Sequence, residues 1–216
     1  MKFAVIGLGS FGFHVAKTLF KKGNEVLTID KSKEKIEEIK TFVSHAIIMD
    51  TTSKENLQAL ELLDMDVIIV SSGPELESSI LTVLFLKEIG VKWIVAKALT
   101  EDHAKILDAV GAHEVFYPEK DMAIKIAYKL SSPNLLEFFP LTSGISIEEI
   151  APPEKFIGKS LKKLDLINKY DIQIIAIKEV ISDKTIFIPK ADFIIKDSDI
   201  LIIMGKEKQL AMIEAL

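Results

Sequence analysis

Residues 2–12 read Lys2-Phe3-Ala4-Val5-Ile6-Gly7-Leu8-Gly9-Ser10-Phe11-Gly12, a short apolar strand that breaks into three glycines spaced G-x-G-x-x-G and then opens a helix. In that setting each glycine has a task. Gly7 permits the tight turn, Gly9 lets a pyrophosphate approach the backbone, and Gly12 lets the helix lie close to the sheet. The free N–H groups and the positive end of the helix dipole then face the phosphates. The second strand ends at Asp30, eighteen residues after Gly12. A carboxylate there can accept both hydroxyls of an adenosine ribose and would repel a 2′-phosphate.

Working outward, short runs rich in Ile and Val recur between segments of helical spacing, the alternation of a parallel sheet covered on both faces. Strands are expected at 2–6, 25–29, 45–49, 66–70, 92–96 and 114–116. The fold class is therefore α/β, a Rossmann-like doubly wound parallel sheet of six strands. Ser32, Ser53 and Thr100 stand where helices need caps, and Gly23, Gly90 and Gly111 where helices stop. Beyond the sixth strand, 123–128 has helical spacing. An apolar patch at 135–140 follows, too short to stand alone and expected to pack on something else. From about Ser143 the period shifts to alternation (Ile145, Ile147, Ile150), with strands expected at 172–178, 185–188 and 200–204. This second half reads as a small α+β module, which gains stability by docking or dimerising.

Several polar residues fall at the carboxyl ends of the strands, the edge at which such sheets bind ligands. Asp50 and Thr51 follow the third strand, near where an adenine would lie. Ser71, Ser72 and Gly73 follow the fourth, where a hydroxyl can donate to a sugar or phosphate and a glycine keeps the wall low. Lys97 follows the fifth and could meet a terminal phosphate as a point charge. Read singly, each is equally consistent with ordinary loop chemistry. Ser10, Phe11 and Lys31 complete the candidate set from the glycine loop and the residue after Asp30. Glu119, just after Pro118, reads alone as an acid at a helix start.

Composition narrows the chemistry. Of the 216 residues 49% are hydrophobic and 27% charged, enough to bury a core and to exclude a disordered chain. The absence of cysteine removes disulfides, thiolate metal sites and a cysteine nucleophile. The basic residues are all lysine, and a net charge of −5 without arginine argues against nucleic-acid binding. The amino-terminal apolar run is too short for a signal peptide, and no segment reaches the ~18 apolar residues of a membrane span, so a cytoplasmic location is expected. None of His14, His45, His103 and His113 shows metal-ligand spacing or a triad context. An NAD-dependent oxidoreductase is the rival reading. It would need a proton donor beside a nicotinamide, and the second half holds no histidine or cysteine.

Gly7 to Gly12, Asp30, Asp50-Thr51, Lys97-Ala98, Pro118-Glu119-Lys120-Asp121-Met122, Gly158-Lys159-Ser160-Leu161 and the run from Asp199 to Gly205 together resemble the RCK proteins. These are the TrkA/KtrA-type regulatory subunits of bacterial and archaeal potassium uptake systems. The resemblance spans both halves and implies a nucleotide-binding domain with a crossover helix at 1–132 and a TrkA-C-like α+β domain at 133–216. It implies a non-enzymatic gating subunit that binds AMP, ADP, ATP or NAD(H), dimerises through the crossover helix and assembles into a ring. The ring would lie on the cytoplasmic face of the inner membrane, beneath a potassium-translocating subunit of TrkH/KtrB type. Within it Lys97 would contact phosphates and Glu119 would lie at the dimer interface near a divalent cation. Some relatives bind cyclic di-AMP in the second domain. Many KtrA-like members carry arginine where this chain has Ser10, so ATP loses its advantage over AMP, ADP and NAD. The arginine that helps form the cyclic-dinucleotide site likewise has no counterpart.

Overall fold

The computed structural model describes residues 1–71, 73, 75–132, 134–142 and 144–214, which form two compact units, Met1–Lys120 and Asp121–Leu216. In the first, β1 (Lys2–Ile6), α1 (Ser10–Lys21), β2 (Glu25–Asp30), α2 (Lys33–Ile39), β3 (His45–Ile48) and α3 (Lys54–Gln58) are followed by β4 (Val67–Val70), α4 (Leu76–Ile89), β5 (Ile94–Lys97), α5 (Glu101–Val110) and β6 (Glu114–Phe116). The strands are parallel in the order β3-β2-β1-β4-β5-β6. Strand order reverses between β1 and β4, which creates a switch point at their carboxyl ends.

Period-two alternation sorts the side chains onto two faces. Ala4, Ile6, Ile29, Ile68 and Val70 pack with Val83 and Leu86 of α4 and Leu107 of α5. Val5, Val26 and Ile69 pack with Ala16 of α1 and Ile36 and Ile39 of α2. Both faces are covered, which is why the strands read as nearly continuous apolar runs. Local signals fix the helix ends. Ser32, Ser53 and Thr100 accept the N–H groups of Lys35, Asn56 and His103, and Gly90 and Gly111 end α4 and α5 in the left-handed region.

Helix α6 (Pro118–Ser131) runs across the division at 120/121, so the sequence boundary at 132/133 and the compact units assign it differently. The second unit continues with β7 (Leu135–Thr142), β8 (Ile145–Ile150), α7 (Leu161–Leu164), α8 (Leu166–Tyr170), β9 (Gln173–Glu179), β10 (Lys184–Phe187), β11 (Asp199–Lys206) and α9 (Glu207–Glu214). Its sheet is antiparallel, ordered β10-β9-β11-β8-β7. Ile150, Ile177, Leu201 and Ile203 form its centre with Leu210 and Ile213 of α9.

Two expectations need amending here. The patch at 135–140 is the edge strand β7, whose register shifts near Leu135 and Pro140. A proline is tolerated there because an edge strand has one unpaired side. In β8 the buried row is Ser146, Glu148 and Ile150, while Ile145 is exposed and Ile147 half-buried. Ser146 Oγ donates to Glu148 Oε1 at 3.4 Å, giving part of that buried polar pair an internal partner.

The single tryptophan, Trp93, lies in the first unit and gives that unit a fluorescent reporter. Leu201 is fully buried in the second, and Leu201→Ala should cost that unit about 2–5 kcal/mol. In a denaturant titration we expect an earlier far-UV dichroism transition with the Trp93 midpoint unmoved.

Candidate functional site

At the switch point a cavity of about 220 Å³ opens, lined in part by Gly7, Asp30, Lys31, Asp50, Thr51 and Gly73. Six of the residues singled out in the sequence therefore share one wall. Ser72 lies outside the described residues.

Asp30 is 8% exposed and organises the floor. Its Oδ2 accepts the Leu8 N–H at 2.6 Å and its Oδ1 the Ser32 N–H at 2.8 Å. Lys35 Nζ stands 3.5 Å from Oδ2. One carboxylate thus ties the loop after β1 to the loop after β2, with lone pairs left for a sugar diol. Asp50 accepts both the backbone N–H (2.9 Å) and the hydroxyl (2.7 Å) of Thr52, and these bonds, with Lys31 nearby, hold its carboxyl below the ordinary value. Thr51 is buried with its Oγ1 3.1 Å from Thr82 Oγ1 of α4.

Gly7 has φ +91°, the left-handed region that favours glycine. A Cβ on Gly12 would fall 2.0 Å from the Gly7 carbonyl oxygen and 3.3 Å from Ser71 Cβ, so α1 can approach the sheet only with glycine there. A Cβ on Gly9 would meet nothing within 4 Å. Its backbone is extended, and it caps α1 without a side-chain bond, which leaves first-turn amides open as an anion cradle. Ser71 is buried against Gly12 and is not among the residues lining the cavity.

Lys97 and Glu119 also stand outside the cavity wall but beside the loop. Lys97 Nζ is 2.5 Å from Glu119 Oε1 and 5.9 Å from the centre of the Phe11 ring. This pair holds the Glu119 carboxyl below its ordinary value. Ser10 is exposed at the helix start. Among the described residues no group of three or more His, Asp or Glu side chains could hold a metal ion. One carboxylate already engaged by a lysine does not form a cation cage, so the residues of a single copy do not fit the divalent ion that the resemblance implies.

Sequence reasoning missed Lys35, Glu75 and Ser78, which also line the cavity. Glu75 occupies the N-cap position of α4 without a side-chain cap bond, and Lys31 Nζ reaches it at 3.4 Å, both side chains being well exposed. The available signal was position: Glu75 and Ser78 bracket the start of the helix that follows Gly73.

A glycine loop and a buried acid at the switch point of a parallel sheet, followed in the chain by a small antiparallel-sheet unit, define the RCK class. Residues 3–118 match the TrkA-N domain and residues 145–216 the TrkA-C domain. The chain belongs to this family. It is 39% identical over 213 residues to Ktr system potassium uptake protein C of Bacillus subtilis (strain 168), covering 99% of this chain and 96% of that protein. With Ktr system potassium uptake protein A of Vibrio alginolyticus it shares 35% identity over 97% of this chain and 94% of that one. The GsuK channel bound to NAD has the same fold, with a TM-score of 0.69 at 15% identity, and the match covers 100% of this chain and 39% of that one. Among the described residues no helix is long and apolar enough to cross a membrane.

The two helix-side glycines should separate folding from binding. Gly12→Ala must displace backbone and should lose roughly 1–3 kcal/mol of stability. Gly9→Ala should melt within about 1 kcal/mol of the parent yet bind nucleotide more weakly, because its new methyl occupies the phosphate approach. Parallel thermal melts and calorimetric titrations check both.

Proposed function

We propose that this protein is the cytosolic regulatory subunit of a potassium uptake system, and that an adenine nucleotide or NAD(H) at the switch point sets the conformation read by a membrane-embedded potassium-translocating partner of TrkH/KtrB type. The observation that carries the ligand is the open glycine loop beside the buried carboxylate of Asp30. Full-length similarity to Ktr system potassium uptake proteins carries the physiological role. GsuK, which shares the fold, was solved bound to NAD.

Phosphates on the open amides, ribose on Asp30 and adenine toward Met49 and Asp50 is the pose we assign, with Lys97 as the counter-charge. The finer roles of Gly7, Gly9, Ser10, Phe11, Gly12, Lys31, Thr51, Ser72, Gly73 and Glu119 belong to the same proposal. Moving a two-state system from 1:99 to 99:1 takes ~5.5 kcal/mol of differential binding, which a ring of equivalent sites can divide among its copies. A homodimer is supported by α6, on which Met122, Ile126 and Ile124, Tyr128 recur four residues apart and exposed. We assign α6 with the first domain, at the 132/133 boundary, for that reason. A divalent cation at Glu119 would need carboxylates from a second copy. For cyclic di-AMP the candidate place is a second-unit cavity of about 450 Å³ lined in part by Ile167, Asn168 and Pro189.

Catalysis is not part of the reading: a hydride-transfer site needs a proton donor at the nicotinamide, and the cavity offers carboxylates, lysines and hydroxyls in place of histidine or cysteine. Titration of AMP, ADP, ATP and NAD should give saturable binding of at least one, with a change in the scattering profile and no turnover of NADH. Silence from all four would overturn the sensing role. Asp30→Ala should weaken binding by roughly tenfold or more, since charge-assisted hydrogen bonds are worth about 1.5–3 kcal/mol. Glu119→Gln should abolish divalent-ion binding by the oligomer, and an unchanged isotherm would remove that role.

A further inference from the structure

His103 is 2% exposed, and no step of the reading above uses it. The Leu99 N–H donates to its Nδ1 at 3.2 Å. A backbone N–H can only donate, so Nδ1 carries no hydrogen and the ring proton sits on Nε2. Nε2 lies 2.9 Å from Ser79 Oγ, and that hydroxyl donates to the Leu76 carbonyl oxygen at 2.8 Å. The neutral ring thus accepts at Nδ1 and donates at Nε2, and the Ser79 hydroxyl accepts from the ring and passes its own hydrogen to Leu76.

The series joins two parts of the site. Leu76 and Ser79 are in the first turn of α4, which carries Ser78 of the cavity wall and follows directly on Glu75 of the same wall. Leu99 lies two residues beyond Lys97. We propose that His103 is a positioning residue for nucleotide binding: its neutral ring clamps the first turn of α4 to the loop after Lys97, so the adenosine side and the phosphate side of the site are held in one arrangement. This rests on the nucleotide reading of the cavity.

Protonation would undo the clamp, because a hydrogen on Nδ1 would point at the Leu99 N–H, donor against donor. Burial pushes the imidazole below its ordinary value, in agreement with that geometry. The ionisable groups on the surrounding elements are Glu75 and Glu77 at the start of α4, Lys97 before the loop, and Glu101 and Asp102 on α5. Lys31 meets Glu75, Glu119 meets Lys97, Lys120 meets Glu101 and Lys105 meets Asp102, while Glu77 is exposed. For a folded value below the unfolded one, the folded state refuses a proton that the unfolded chain accepts. Stability is therefore fully present above the unfolded value of about 6.5 and declines as the pH falls below it, while binding declines only as the pH falls through the lowered value of the free folded chain. By reciprocity, a ligand that needs the clamp must drive the ring's titration to still lower pH.

NAD⁺ is the probe, since its diphosphate does not titrate in the histidine range. Nitrogen-resolved NMR of the full chain should find the His103 ring as the neutral Nε2–H tautomer, titrating below the ordinary histidine value. Saturating NAD⁺ should shift it down by about half a pH unit, matching a loss of NAD⁺ affinity that grows toward roughly threefold as the pH falls below both ring values. His103→Gln, whose amide can still donate to Ser79, should bind NAD⁺ with little dependence on pH over that fall. A His103 titration unmoved by NAD⁺, or a variant with the parent's pH profile, overturns the proposal while leaving the cavity reading intact. Failure of NAD⁺ to bind above the ordinary histidine value removes the cavity reading and this proposal with it. Should the glutamine variant not fold, the NMR titration of the unsubstituted chain decides alone.

Discussion

The rest of the first unit's ligand edge depends on one buried carboxylate. Asp30 is withdrawn from water, a costly position for a charge-bearing group unless its oxygens are hydrogen-bonded. Both are: Leu8 and Ser32 each direct a backbone N–H at it, from the loops that follow β1 and β2. The glycine loop therefore has its shape before any ligand arrives, and less ordering remains to oppose binding. Gly7 and Gly12 supply the steric half of the same constraint, since the loop must fold over its own carbonyl with no side chain between.

The opposite wall depends on α4, a helix apolar on most sides that nonetheless buries Ser79 and Thr82. Thr82 Oγ1 lies within hydrogen-bond reach of the Ser78 carbonyl at 2.8 Å and of the Thr51 carbonyl at 3.3 Å. Ser79 meets the His103 ring. The loops after β3 and β5 are thus both attached to this one helix, and the loop after β4 leads into it. Small hydroxyls can do this inside a helix because each satisfies a backbone carbonyl one turn back while keeping a second valence for a neighbour. A displacement of the first turn of α4 would be felt on both sides of the cavity.

Much of this was legible in the sequence because it rests on short-range rules. The strand positions followed from apolar runs bounded by glycine, the caps from Ser32, Ser53 and Thr100, and the shared cavity from the rule that ligand loops follow the carboxyl ends of parallel strands. What escaped has a common cause. The edge strand β7 contains Pro140 and has no clean alternation, so pairing with β8 reveals it where periodicity does not. In β8 the residue types point to the wrong face, because Ser146 and Glu148 are buried while Ile145 is exposed. Lys35, Glu75, Ser78 and His103 sit in ordinary helical contexts, and only the three-dimensional meeting of α2, α4 and α5 with the loops gives them a part.

The absence of arginine shapes how such a site can respond to charge. Lys97, 13% exposed at its side chain, is the cation beside the glycine loop, and it is held by Glu119, which is 59% exposed. A pair open to water on one side is worth only about 0.2–1 kcal/mol. A terminal phosphate carries more charge than a carboxylate and meets open amides of the α1 terminus at the same time. An anion of that kind would therefore take Lys97 from Glu119 at little cost, and the released carboxylate would become available at the start of α6. A guanidinium would bind phosphate and carboxylate in fixed bidentate geometry and so resist such an exchange, whereas an ammonium is a point charge on a flexible stem that can pass between partners. On the proposed reading, a weakly held lysine suits discrimination between ligands by small free-energy differences, because a phosphate bound there would also change which charge faces α6.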